Sequence, residues 1–384
     1  MSNTALLFGA GKTGRGFAAH LAFRGGYEIV LIDKNRSLVE DLRRAGQYRI
    51  EVLGQAEQGG SVPVAAAYPV EEDGWHAALA TTSLAFTAVF GNNLDDLARD
   101  LAAALHKRHR DNPAAPLTVI TCENLTGAAR FLRERVQGYL EPQLAEWLSE
   151  TVGFSEAIVF STCLGAAPGQ APLTIRAQPF FELPCDGDAL KTPLRVYGLK
   201  PLRHFGNQLR RKIYTYNCIN AVITYLGARQ GYTQLYEAAG DAQILAVARL
   251  AAGETARALV AEYGFDPQEQ EEWTAAAFAK FADRNIPDPI ERNGADPARK
   301  LGREDRLIGP ALLSLKHGIH PEGLVTGILA GFAYRDPGTG FSVGDVIREK
   351  GPDFVLADMC GLAPEEPLFG LLKEKILTGS RHGT

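Results

Sequence analysis

The strongest constraint on the fold lies near the amino terminus. Residues 5–8 are apolar and lead straight into Gly9-x-Gly11-x-x-Gly14, after which Phe17, His20, Leu21 and Phe23 recur at helical spacing. Gly25-Gly26 closes that helix, and residues 27–32 form a second strand ending at Asp33, 19 residues beyond Gly14. Each glycine is needed for a different physical reason, Gly9 for a tight turn, Gly11 for close approach of a pyrophosphate, and Gly14 for helix-to-strand packing. The whole is a βαβ unit that turns a helix amino terminus toward the phosphates of a dinucleotide. A carboxylate at Asp33 accepts hydrogen bonds from ribose hydroxyls and repels a ribose phosphate, which favours NAD over NADP. Lys34 and Arg36 beside it belong either to a solvated loop or to phosphate contact.

Further along, residues 83–90 and 117–121 have the continuous apolar texture of strands buried on both faces, and 94–106 that of a helix between them. From about residue 206 long helical patterns take over, at 207–226, 233–263 and 306–332. Residues 172–202 between these regions mix short extended pieces with turns, and 285–299, rich in Pro, Gly, Asp and Arg, form an irregular charged stretch suited to substrate binding. The expected fold class is α/β: a Rossmann-like, doubly wound parallel sheet domain over residues 1–195, followed by a mainly α-helical domain over 196–384. The length of 384 residues also fits two domains.

The densest polar constellation of the second half runs from Arg210 to Asn220, in a helix whose other positions are apolar or aromatic. At about 100° per residue Lys212, Tyr216 and Asn220 form one stripe, with Asn217 about 60° beyond Asn220. A lysine on such a helix titrates near neutrality because burial disfavours its charged form. Its neutral amine then takes a proton from an alcohol while a cofactor accepts hydride.

Lys212-x-x-x-x-Asn217 on a helix, behind Gly-Ala-Gly-x-x-Gly-Arg-Gly-Phe at the amino terminus, resembles the polyol-specific long-chain dehydrogenases. The likeness extends over nearly the whole chain. It takes in Cys122-Glu123-Asn124, Tyr263-Gly264-Phe265-Asp266, Glu291-Arg292 through Arg299-Lys300-Leu301, and Asp305-Arg306-Leu307-Ile308. The resemblance implies an NAD-dependent oxidoreductase without a metal, in which Lys212 is the general acid/base, Asn217 polarises the carbonyl or stabilises the alkoxide, and Asn124 assists. It also implies that Arg292 and Lys300 contact substrate, where their charge suits a phosphate. The reaction it implies links a polyol phosphate and a ketose phosphate, mannitol 1-phosphate and fructose 6-phosphate being the pair. Two positions depart from the family. Asn220 stands where the family motif has a histidine, so a substrate hydroxyl meets a group that hydrogen-bonds but does not titrate. The family's Asp-Arg-Ile segment is also missing near Phe160, with Glu156 the nearby carboxylate.

Composition narrows the alternatives. A net charge of −5 argues against nucleic acid as a partner, and no apolar run is long enough to span a membrane. Five cysteines without C-x-x-C spacing argue against a disulfide framework or zinc cluster and for a reducing cytoplasm. No tyrosine is followed four positions later by lysine, and Leu6 stands where a P-loop needs glycine, so short-chain dehydrogenase and nucleotide-hydrolase chemistry lose support. The expected partner is a small polyol or sugar phosphate and the expected state a monomer. Two other readings stay open: the same chemistry on another polyol, sugar acid or hydroxy compound, and a dinucleotide-binding sensor without turnover.

Overall fold

A computed structural model of the chain describes residues 2–123 and 125–379. The chain divides into two compact units, Met1–Gly206 and Asn207–Thr384.

The first unit is built on six parallel strands, numbered here within this sheet: β1 (Ser2–Phe8), β2 (Glu28–Asp33), β3 (Ala66–Pro69), β4 (Thr82–Thr87), β5 (Leu117–Thr121) and β6 (Val152–Glu156). Their order is β3-β2-β1-β4-β5-β6, which places the topological switch between β1 and β4, where open α/β sheets bind ligands. Both faces of the sheet are covered, so alternate residues of one strand feed different cores. Leu7 and Leu31 join Phe17, Leu21, Tyr48 and Ile50 on one side, whereas Leu6, Phe8, Val30 and Ile32 join Trp75, Leu79, Leu101 and Leu105 on the other. That two-sided burial is why the strands read as unbroken apolar runs. A smaller sheet, Gln47–Val52 with Gly60–Pro63, Ile175–Ala177 and Cys163–Leu164, supplies part of the first core.

β4 ends at Thr87, short of the expected residue 90, and Phe90 itself, at φ +65°, lies outside strand geometry. Its side chain is 79% exposed.

The second unit is helical, with short interruptions where single long helices are expected. Asp241 ends the helix Leu235–Gly240 and caps the next, Ala242–Tyr263, its carboxylate accepting from the N–H groups of Gln243 and Ile244, both at 2.9 Å. Likewise Gly318, at φ +70°, and Pro321 separate Ile308–Lys316 from Glu322–Ala333. The helix Cys218–Arg229 packs against both Ala242–Tyr263 and Glu322–Ala333. Small residues permit this: a Cβ on Gly323 would run into the backbone of Ala251, and one on Gly327 would stand 2.8 Å from Val222 Cγ2. The buried Glu254 of the middle helix accepts from the N–H groups of Gly323 (2.8 Å) and Leu324 (3.0 Å), satisfying two of the donors that a helix start leaves open.

Candidate active site

In the first unit the three glycines of the turn play the separate parts that the sequence predicts. Gly9 has φ +93°, a Cβ there would run into the Ala88 carbonyl, and its N–H donates to Ile32 O at 2.7 Å, tying the turn to the end of β2. A Cβ on Gly14 would run into the Gly9 carbonyl oxygen, whereas nothing lies within 4 Å of a Cβ position on Gly11. The backbone is therefore bare at the one glycine where a pyrophosphate needs access, and the residues present fit a dinucleotide.

Asp33 sits half-buried at the end of β2, with Oδ1 accepting from the Asn35 N–H at 2.8 Å. The neighbouring cations are held by other groups: Lys34 Nζ donates to Asn93 Oδ1 at 2.9 Å, and Arg36 pairs with Glu71 at 2.6 Å. Both therefore have structural partners beside Asp33.

Beyond β5, the buried Glu123 accepts from Thr87 Oγ1 at 2.7 Å and from Val89 N at 3.0 Å, and so fixes the loop that leaves β4. Burial pushes its carboxyl pKa upward. Asn124, expected to assist the reaction, lies outside the described residues. Glu156 ends β6 and accepts from the Gly127 N–H at 2.7 Å, at the start of the helix Ala128–Tyr139. Its carboxylate serves that helix start.

The second unit carries the proposed acid/base. The helix Phe205–Lys212 does not continue as a regular α-helix: residues Ile213–Asn217 form a π-turn before the α-helix resumes at Cys218–Arg229. This corrects the predicted stripe of Lys212, Tyr216 and Asn220. Because π-turns bond residue i to i+5, the face of the helix is shifted by one residue there. Tyr216 packs edge-on against Trp273 and Phe281, at ring separations of 6.0 and 6.5 Å, on the helix Pro267–Phe281. From Arg211 to Gly227 every residue is buried except Ile213, Asn217 and Asn220. These three are the partly exposed residues of the segment.

Lys212 is 7% exposed. Burial, and after it the nearby charges of Arg306 and Lys280, lower its pKa to about 7, with Asp305 opposing. Lys300 is lowered to about 7 in the same way, first by burial and then by Arg306 and Arg299. Arg306 thus acts on both lysines. It is buried, and its Nε donates to Asp305 Oδ1 at 2.7 Å.

The remaining predicted substrate contacts form one hydrogen-bonded chain. Asn220 Nδ2 donates to Asn293 Oδ1 (3.1 Å), Asn293 Nδ2 to Asp288 Oδ1 (2.6 Å), and Lys300 Nζ to the Asn293 carbonyl (2.7 Å). Arg292 donates through Nε and Nη2 to the same Asp288 oxygen, at 2.9 and 2.6 Å. Asn220, Arg292 and Lys300 are therefore connected through Asn293 and Asp288, neither of which a sequence pattern singles out. The signals were the irregular charged stretch 285–299, which contains both, and the position of Asn293 directly after Arg292.

Among known proteins, the family model described as the mannitol dehydrogenase Rossmann domain matches residues 3–195, and that described as the mannitol dehydrogenase C-terminal domain matches 207–351. The mannitol-1-phosphate 5-dehydrogenase of Bacillus velezensis is 33% identical over 97% of this chain and 99% of its own length. That of Bacillus subtilis is 32% identical, with the same coverage. Among solved structures, the Pseudomonas fluorescens mannitol 2-dehydrogenase ternary complex with NAD and D-mannitol superposes with a TM-score of 0.75 at 15% identity, covering all of this chain and 92% of that one. A substrate-free D-sorbitol dehydrogenase gives 0.73 at 14%, covering 89% and 83%. At these identities the two structures speak for the fold.

Proposed function

The chain belongs to the mannitol dehydrogenase family, and from that premise we propose that it interconverts mannitol 1-phosphate and fructose 6-phosphate with NAD. The observation that carries the chemistry is Lys212, buried on a helix whose partly exposed residues include Asn217 and Asn220, with its amine pKa brought to about 7. The near-full-length similarity to mannitol-1-phosphate 5-dehydrogenases supports the substrate.

The turn at Gly9, Gly11 and Gly14 would hold the pyrophosphate of NAD, and Asp33 its adenosine ribose. When bound, NAD supplies the two-electron acceptor for the carbinol C–H bond. In polyol oxidation the neutral Lys212 amine takes the hydroxyl proton, and in ketose reduction the protonated amine returns it. Asn217 donates from its side-chain amide to the oxygen on which charge develops. Asn220 gives its own N–H to Asn293, which leaves its carbonyl oxygen to accept from a substrate hydroxyl. Arg292, aimed by Asp288, provides the positive charge for the substrate phosphate, and Lys300, its pKa brought to about 7, adds to it in its ammonium form. In this reading the enzyme works in the cytoplasm as a monomer, and its five buried free cysteines suit a reducing compartment.

Incubating the protein with NADH and fructose 6-phosphate, beside fructose, tagaturonate and other ketoses, tests the proposal by nicotinamide absorbance. Turnover of the sugar phosphate is expected. The Asn220–Asn293 pair in place of a histidine favours, as the second reading, the same chemistry on another polyol or hydroxy compound. Turnover of a different substrate with none of fructose 6-phosphate establishes that reading instead, and NADH binding with no turnover at all overturns both.

A further inference from the structure

We propose that Gln270 is a positioning residue for the reaction: its amide holds the π-turn that brings Lys212 and Asn217 onto a common side of their helix. The proposal rests on Lys212 as acid/base, and nothing in the sequence motif points to it.

Residues five apart on an α-helix diverge by about 140°, at ~100° per residue. Lys212 and Asn217 would then address different surroundings. A π-turn, whose bonds reach from i to i+5, brings such a pair nearly one above the other, but it is a rare conformation and reverts to α unless its surroundings hold it. The surroundings here are specific. Gln270 Oε1 accepts from Arg211 Nε at 2.8 Å, just before the turn, and Gln270 Nε2 donates to Thr215 Oγ1 at 2.9 Å, inside it. One amide therefore grips the helix on both sides of Lys212.

The grip has one orientation. Arginine offers only donors, so the amide oxygen must face Arg211 and the NH2 must face Thr215. All three residues are buried, with exposures of 1% to 3%. The guanidinium lies 4.6 Å from the Phe265 ring centre and 4.4 Å from that of Trp273, which fixes Arg211 from two sides. Tyr216 meets Trp273 and Phe281 edge-on, so the helix Pro267–Phe281 holds the turn by apolar contact and by this hydrogen-bonded bridge. Buried polar bonds of this kind define a geometry because the alternative leaves unpaired groups without water.

The charged groups acting on the Lys212 amine are Arg306 and Lys280, which favour its neutral form, and Asp305, which favours the ammonium. None of them is Gln270. A change at Gln270 consequently acts first on the helix at Arg211 and Thr215, on either side of Lys212.

The test compares Gln270→Leu, which keeps the volume and removes both bonds, with Gln270→Glu, which keeps an acceptor for Arg211, and with Thr215→Val, which removes the second arm alone. For Gln270→Leu, kcat is expected to fall 10- to 100-fold, and the midpoint of its pH profile to rise by a pH unit or more as Lys212 gains access to water. KM and the NADH Kd are expected to stay within about twofold, and Gln270→Glu to recover part of the rate. Unchanged kcat and midpoint in folded Gln270→Leu overturn the proposal, as does a loss that merely follows the fraction of folded protein at an unchanged midpoint. Should Gln270→Leu fail to fold, Thr215→Val decides, with the same midpoint shift expected and its absence fatal. A Lys212→Ala variant run in parallel separates the two ideas: full activity there overturns the acid/base assignment, whatever Gln270 does.

Discussion

The pH dependence of polyol oxidation follows directly from where Lys212 sits. An ordinary lysine with a pKa of 10.5 has only about 3 neutral amines in 10,000 at pH 7, whereas one at about 7 has roughly half, a gain of more than 1,000-fold in competent base. The corresponding bias, roughly 5 kcal/mol at ~1.4 kcal/mol per factor of ten, arises first from burial and then from Arg306 and Lys280. Its sign sets the profile. With Lys212 as the proposed acid/base, oxidation requires the neutral amine, so kcat/KM rises as pH increases through about 7; ketose reduction requires the ammonium and falls over the same range. Between pH 6 and pH 8 the neutral fraction grows from about one tenth to about nine tenths, and oxidation should accelerate close to tenfold and then level off. The assay is NADH production from mannitol 1-phosphate over a range of substrate concentrations. The kcat/KM profile reports the free enzyme, to which the value of about 7 belongs, after allowance for the phosphate monoester, which itself titrates near ~6. Lys212→Arg, whose guanidinium does not lose its proton, should flatten the profile and lower the rate about 100- to 10,000-fold. A wild-type midpoint above 9 would show that the lysine is solvated and that the reasoning from burial is wrong.

Three further outcomes follow from other parts of the chain. Phe90→Gly should stabilise the protein by about 1 kcal/mol in urea unfolding, because a residue at φ +65° with a 79% exposed side chain carries backbone strain that glycine does not; unchanged or reduced stability would contradict this. Asp33→Ala removes the acceptor for the ribose hydroxyls and should weaken NADH binding about 10-fold or more while narrowing the preference over NADPH, as read by fluorescence titration. Asn220→His should introduce a further ionisation between about pH 5 and 8 into the kcat profile, since it places a titratable group at a partly exposed position beside Asn293. A profile with a single midpoint would show that this position does not touch the reaction.

The parts of this protein that were legible in its sequence are those governed by local rules. The glycine turn and Asp33 could be read because the turn geometry, the bare backbone and the strand end all lie within one βαβ unit. The two-sided burial of the sheet was legible in the unbroken apolar strands. Two of the helix interruptions also had local signals, a capping Asp241 and the Gly318 to Pro321 break, which helical periodicity alone passes over. By contrast, the positive φ of Phe90, just beyond β4, is one that no propensity favours. The stripe predicted for Lys212, Tyr216 and Asn220 fails for a different reason. It assumes α geometry through a segment whose π-turn is supported by Gln270, 55 positions from Thr215 in the sequence. The lysine's tuning by Arg306 and the Asn220–Asn293–Asp288 chain are likewise products of tertiary packing, and spacing within one helix carries no trace of them.

The most direct measurement is a comparison of wild type with Lys212→Ala in two readouts, the rate of NADH consumption with fructose 6-phosphate and the Kd for NADH. With Lys212 as the acid/base, the rate drops about 100- to 10,000-fold while the Kd stays within about twofold, because the proposed dinucleotide site is the glycine turn and Asp33. A variant that retains its rate, or that loses NADH binding as severely as turnover, would contradict that assignment.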